Sequence, residues 1–207
     1  MIKFEYVKVY NFLDAIRGMR NSWESHDKMD SHNIITKNGL EVQIGEEDLK
    51  LARKLVKAGS DHAKFLRQIL VSVDVIAPEK WWSEADTYKI GTVVNSTSIM
   101  HVLGRTELSE DDLSFEDVDE DLKEQLFSIY SEARTRWIES GKKKPSPEWR
   151  QMVMVTPVAF NYRRTFTCNY QVLRSMYHSR KNHRLSEWHG FAIWCASLPY
   201  SELITSK

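Results

Sequence analysis

The chain has 207 residues, 42% of them apolar and 28% charged, with 29 lysines and arginines against 29 aspartates and glutamates. A length of this order buries a core as one large domain or two small ones, and a net charge of zero excludes a global electrostatic pull toward nucleic acid or an anionic membrane. Cys168 and Cys195 lie outside any C-x-x-C and argue against a disulfide framework or a cysteine-rich zinc site.

No stretch reaches the roughly 18 apolar residues of a membrane span. The N-terminus lacks a signal-length apolar run, so a cytoplasmic protein with reduced thiols is expected. Residues 2–9 alternate and predict a strand. Phe12, Ile16, Met19 and Trp23 recur at helical spacing, which predicts a helix over 10–26 with one apolar stripe. Residues 27–45, rich in Asp, Ser, Asn and Gly, read as a loop with a short strand at Leu40 to Ile44. Glu46 to Ala58 reads as a helix stopped by Gly59.

Ile69, Val71, Val73 and Val75 alternate with Leu70, Ser72, Asp74 and Ile76, so Ile69 to Ala77 is a predicted strand. Pro78 ends it and opens a helix over 79–88, in which Trp81 and Trp82 are expected as core. Residues 89–103 read as a turn and a polar segment. An acidic, solvated loop is expected near 104–120, and its acidic end suits the N-terminus of the helix that follows. That helix shows Leu122, Leu126, Ile129, Ala133 and Trp137 as its buried face. Gly141 ends it, and Lys142 to Pro147 is a loop whose lysine run is solvated.

Val158 to Cys168 alternates most clearly. Val158, Phe160, Tyr162, Phe166 and Cys168 share a face with Arg164, and Ala159, Asn161, Arg163, Thr165, Thr167 and Asn169 occupy the other. A strand with one apolar and one hydrogen-bonding face suits the floor of a ligand site, and Cys168 reads as packing. A helix follows, with Leu173, Met176, Tyr177 and Arg180 on one stripe, and another runs from Leu185 to Ser197. The spacing of His178, His183 and His189 does not form a metal-ligand set, and no metal is expected.

Strand then helix in direct succession brings Arg163 and Arg180 toward one point. Two guanidinium forks hold a phosphate or carboxylate well. The structural alternative is that each pairs with an internal acid such as Asp74 or Glu187, and residue spacing leaves both readings open.

The run PVAFNYRRTFTCN, followed by VLRSMYHSR, resembles the C-terminal half of the flavin-dependent thymidylate synthases. Arg163, Thr167, Asn169 and Arg180 fall on that family's strand arginine, Thr-x-Asn and helix arginine without a gap. AIRGMRNSW, LVKAGSDHAKFLRQILVSVDVIAP and DLKEQLFSIYSEARTRWIESG resemble its earlier segments in the same order, so the likeness spans most of the chain.

The resemblance implies an α/β (α+β) fold over a single domain, 1–207, with a central, mostly antiparallel sheet flanked by helices. It implies a homotetramer that binds a pyrimidine deoxynucleotide, with C5 methylation of dUMP as the reaction. FAD, NADPH and methylenetetrahydrofolate would be the cofactors; neither nucleic acid nor membrane is an expected partner. Arg163, Arg180, Asn95 and Thr167 are assigned to the nucleotide, Thr97 to the pocket wall at the family's serine position, and Tyr88, Lys89 and Asn169 to the flavin. The departures are concentrated after the Ala-Pro. The family's Arg-His-Arg reads Thr87, Tyr88, Lys89; its glutamate is Asn95, its following arginine Ile99, and its histidine before the strand Gln68. A lysine lacks arginine's planar fork. Two further readings therefore stand beside the enzyme: an inactive homologue that binds or sequesters a nucleotide, and a structural or inhibitory protein with a closed pocket.

Overall fold

A computed structural model describes residues 2–37, 39–105 and 107–207. Period-2 alternation produces the main sheet, whose strands are β1 (Lys3–Tyr10), β4 (Leu70–Pro78), β6 (Asn161–Asn169) and β5 (Val93–Ser96), hydrogen-bonded in that order. A separate antiparallel hairpin pairs β2 (His32–Thr36) with β3 (Gly39–Gln43), His32 opposite Gln43 and Ile35 opposite Leu40. Helices α1 (Phe12–Met19), α2 (Glu46–Lys57), α3 (Glu79–Ala85), α4 (Ile99–Val102), α5 (Glu120–Glu139), α6 (Pro147–Met154), α7 (Tyr170–Arg180), α8 (Ser186–Ser197) and α9 (Glu202–Thr205) complete the described elements. The fold is α+β, an antiparallel sheet flanked by helices. Among the described residues no helix is long and apolar enough to cross a membrane.

The chain divides into two compact units. The first is built mainly from Val75–Thr87 and Asn95–Arg164, the second from Phe4–Asp74, Tyr88–Val94 and Thr165–Lys207.

In the first unit Trp81 and Trp82 are buried, as expected, with their rings edge to face. Arg164 lies on the apolar face of β6, where acids compensate its charge. Its guanidinium stacks over Trp82, 4.5 Å from the ring centroid, while Nη1 donates to Asp86 at 2.9 Å and Nη2 to Glu79 at 3.2 Å. The buried stripe of α5 is Tyr130, Ala133 and Trp137, whereas Leu122 and Ile129 are exposed. An apolar-only reading of the helix passed over Tyr130, whose hydroxyl accepts the Gly104 N–H at 3.2 Å and is thereby satisfied inside. Gly104 has φ +80°, and a Cβ there would sit 2.4 Å from the Trp137 ring, so the approach of these segments requires glycine. The strand expected to start at Val158 starts at Asn161, and Val158 is exposed.

The second unit depends on a buried ion pair. Phe12, Ile16 and Met19 point inward as predicted, but the α-helix ends at Met19 and Trp23 is 88% exposed. The next residue, Arg20, turns into the interior and donates Nε to Asp48 Oδ1 at 2.5 Å, both side chains being almost completely buried. The other Asp48 oxygen accepts from the Asp30 N–H, the Ser31 N–H and the Ser31 hydroxyl, the last at 2.6 Å. Asp30 in turn accepts the N–H groups of Glu47 and Asp48, two of the otherwise unpaired donors at the start of α2. These bonds, the Glu47 N–H foremost, hold the Asp30 carboxyl below its usual range. Gly45 is obligatory, because a Cβ would fall about 2.1 Å from the Asp30 carboxylate carbon.

The loop expected over 27–45 is thus a knot of acids followed by a hairpin, and the expected polar segment 89–103 contains β5 and α4. Helices α6 and α9 carry no strong periodic signal and were not anticipated. Cys168 and Cys195 are free and buried, and burial pushes both thiols well up, consistent with packing.

Removing one member of a buried pair strands the other. Asp48→Ala is expected to cost about 3–5 kcal/mol of unfolding free energy, read by urea denaturation; a loss within the range of an exposed-site change would show that Arg20 finds another partner.

Candidate functional site

In the first unit, Thr97 follows β5 and faces the carbonyl of Arg163 on β6. Its N–H and its hydroxyl both donate to that oxygen, each at 2.9 Å. The alternation of β6 buries Tyr162 and leaves the Arg163 side chain exposed. Thr97, Asn161, Arg163, Asp111, Asp112 and Tyr130 line a cavity of about 250 Å³, with Ile76 and Phe160 adding apolar wall. Asn161 is held in place, its Oδ1 accepting the Ser114 hydroxyl at 2.9 Å. Burial raises the Tyr130 phenol above its ordinary range, so it stays protonated. A guanidinium fork, an amide and hydroxyls around one small cavity suit a polar ligand, while Asp111 and Asp112 bring negative charge to the same wall. Asn95 is exposed on β5 and is not among the residues that line this cavity.

In the second unit, Arg180 Nε donates to the Tyr88 hydroxyl at 3.1 Å. The guanidinium stands 5.7 Å from the Tyr88 ring centroid and 5.2 Å from that of Trp188. Half-buried among aromatic faces, it continues the apolar stripe of α7 as expected. Asn169 caps α7, accepting the Val172 N–H at 3.0 Å. Gly91, at φ +78°, lets the segment after Tyr88 lie against that cap, since a Cβ would meet Asn169 Nδ2 at 3.1 Å. Thr167 is half-buried on β6 and Lys89 is exposed. Of the residues assigned to flavin, Tyr88 and Asn169 therefore have polar atoms committed to Arg180 and to the α7 cap.

Reading the sequence missed a second and larger cavity. It lies within the second unit, has a volume of about 1180 Å³, and is lined in part by Arg20, Trp23, Lys50, Lys54, His62 and Lys64. Met19 and Phe65 add apolar floor. The i, i+4 spacing of Lys50 and Lys54 on α2 was its only local signal. The rest of the wall comes from residues distant in sequence. A cationic wall beside an exposed indole can hold an anion with an aromatic part. Among the described residues no group of three or more His, Cys, Asp or Glu is placed to hold a metal ion.

No family model matches the chain, and no curated protein matches it in sequence. Solved structures do match it in fold. A crystal structure of thymidylate synthase X from Helicobacter pylori with FAD and dUMP superposes with a TM-score of 0.74 at 14% identity, over 99% of this chain and 95% of that one. A second structure of the Helicobacter pylori flavin-dependent enzyme, also complexed with FAD and dUMP, gives 0.72 at 15% identity, over 99% and 96%. A UMP/dUMP methylase, PolB from Streptomyces cacaoi, bound with 5-Br dUMP, gives 0.65 at 18% identity, over 100% and 95%. At such identities the likeness establishes the fold.

Thr97→Val keeps the shape and removes the hydroxyl bond to Arg163. It is expected to lower stability by about 1 kcal/mol in urea unfolding; an unchanged midpoint would show that the backbone N–H alone holds this junction.

Proposed function

We propose that the chain is a pyrimidine deoxynucleotide-binding protein that receives its ligand at the first-unit cavity. The observation that carries this reading is the Arg163 side chain lining the cavity alongside Thr97 and Asn161. The arginine supplies a fixed positive charge in a planar fork suited to a phosphate. The neutral groups of Thr97 and Asn161 donate and accept, as a pyrimidine edge or a deoxyribose hydroxyl requires. The structures that share the fold, as named above, were crystallised with dUMP or 5-Br dUMP. The resemblance assigns Arg180, Asn95 and Thr167 to the same nucleotide, and each is an independent proposal.

Binding without chemistry is sufficient for this reading. A protein of this kind sequesters or senses a nucleotide, because fold alone does not fix function. A rise in melting temperature on adding dUMP tests it, since a ligand that binds only the native state stabilises that state. Arg163→Ala is expected to abolish the rise, and Arg180→Ala tests the separate assignment of Arg180. Variants that respond like the parent would overturn the assignment.

The cationic cavity of the second unit favours one further reading, C5 methylation by a flavin-dependent enzyme. The set first assigned to flavin does not fit it, since Tyr88 and Asn169 spend polar atoms inside the chain and Lys89 stands alone as a cation in that set. The 1180 Å³ cavity fits in size and charge. Lys64 would neutralise a pyrophosphate together with Lys50 and Lys54, and Trp23 would stack on a ring. Bound flavin supplies the hydride in such chemistry, NADPH reduces it and methylenetetrahydrofolate gives the carbon, while the protein positions and excludes water.

If this reading holds, the chain quenches the fluorescence of added FAD and turns yellow, with absorbance near 450 nm, roughly a property of the cofactor itself. Lys50→Glu with Lys54→Glu is then expected to lose that uptake. A colourless protein that takes up no FAD removes the enzymatic reading and leaves nucleotide binding intact.

A further inference from the structure

The acidic stretch expected as a solvated loop is tied down along one wall of the first-unit cavity. Leu113 bridges to Phe160 in antiparallel fashion and is buried to 6% exposure. The Ser114 N–H donates to the Ala159 carbonyl at 2.9 Å, and the Ser114 hydroxyl to Asn161 Oδ1 at 2.9 Å. Asn161 Nδ2 donates back to the Asp111 carbonyl at 3.5 Å. Phe115 packs edge to face on Phe127, and Glu107 is paired with Arg134. Asp111 and Asp112 consequently line the same cavity as Arg163.

We propose that residues 107–118 form a strap that walls and narrows this cavity, its acids lining the same space as the arginine that an anionic ligand needs, so that a nucleotide seats fully only when the strap lifts. The inference rests on the nucleotide-binding reading and adds a gate to it. Volume is one argument. The cavity, at about 250 Å³, lies below the roughly 300–1,000 Å³ typical of ligand pockets. Charge is another, because Asp111 and Asp112 line the cavity and their carboxylates repel a phosphate.

The fastening is also of a kind that opens. Among the described residues, buried Leu113, the Phe115 ring contact, the Glu107–Arg134 ion pair and a few hydrogen bonds hold the segment, while Glu110, Asp111, Glu116 and Asp117 are exposed. Segments with few buried apolar contacts open at low free-energy cost. Near its C-terminal end, Asp117 has backbone in the left-handed region at φ +64°. Asn161, which fastens the strap, also lines the cavity, so a ligand that engages its amide would compete with the fastening.

A reversible lock tests the gate. Ser114 and Ala159 are cross-strand neighbours, and such pairs lie about 4.5–5.5 Å apart at Cα, inside the range a disulfide spans. Ser114→Cys with Ala159→Cys, in the full chain, is oxidised, and the closed bond is verified by mass and by a count of free thiols. Native Cys168 and Cys195 are buried away from exchange. Binding of dUMP, with dCMP in parallel, is followed by stopped flow.

The oxidised protein is expected to associate at least about tenfold more slowly than its reduced form, and reductant to restore the rate. Leu113→Asn, which undocks the strap, is expected to associate faster than the parent. Asp111→Asn with Asp112→Asn is expected to bind several-fold more tightly. Equal association rates for the oxidised and reduced forms, with the reduced form binding, overturn the strap alone. Absence of binding by the parent, the reduced variant and the undocked variant overturns the nucleotide-binding reading and the strap with it.

Discussion

The alternation of β6 is the constraint on which the rest of this structure depends. Tyr162, Phe166 and Cys168 are buried, and each large apolar side chain removed from water contributes about 1.5–3 kcal/mol. Their burial commits the intervening residues to the opposite face. Because the period is two, a slip of one residue would bury Arg163 and expose Tyr162. The placement of Arg163 at the cavity is therefore enforced by the hydrophobic effect acting on its neighbours. The same alternation puts Arg164 on the inner face, where Asp86 and Glu79 receive its charge and Trp82 its plane.

Comparison of the arginines shows how one side-chain type is put to different uses. Arg20 is buried against Asp48 and organises the polar knot of Asp30 and Ser31 at the start of α2. Arg164 is nearly buried and meets two carboxylates. Arg180 is half-buried between aromatic rings and bonded to a tyrosine hydroxyl. A guanidinium cannot shed its proton on burial, so each site must supply compensation, and the form of compensation marks its role. Carboxylates on both forks of Arg164 identify a brace. Exposure on a polar strand face, next to a cavity, sets Arg163 apart from these three.

The acidic segment carries a related lesson. Its charge pattern speaks for solvation, and most of its side chains are indeed exposed. Leu113 and Ser114 nevertheless dock it, one by burial and one by hydrogen bonds to strand ends. Two residues in a run of acids are too few to register as an element in the sequence, yet they determine where the carboxylates of Asp111 and Asp112 lie.

Local pattern alone was enough for the strands at Lys3, Leu70 and Asn161, the helices α2, α7 and α8, the core role of Trp81 and Trp82, and the two faces of β6. These follow from periodicity and from residue chemistry acting over a few neighbours. Tertiary structure decided what depends on partners far along the chain. It turned Arg20 inward and Trp23 outward because Asp48 lies where Arg20 can reach it. It rotated the buried face of α5 to Tyr130 because Gly104 offers that hydroxyl a hydrogen bond. It opened the large cationic cavity from residues scattered between Gly18 and Gln68, and it drew the acidic strap onto Phe160. Periodicity reports which face of an element is apolar, whereas the partner of a buried polar group is a property of the assembled chain.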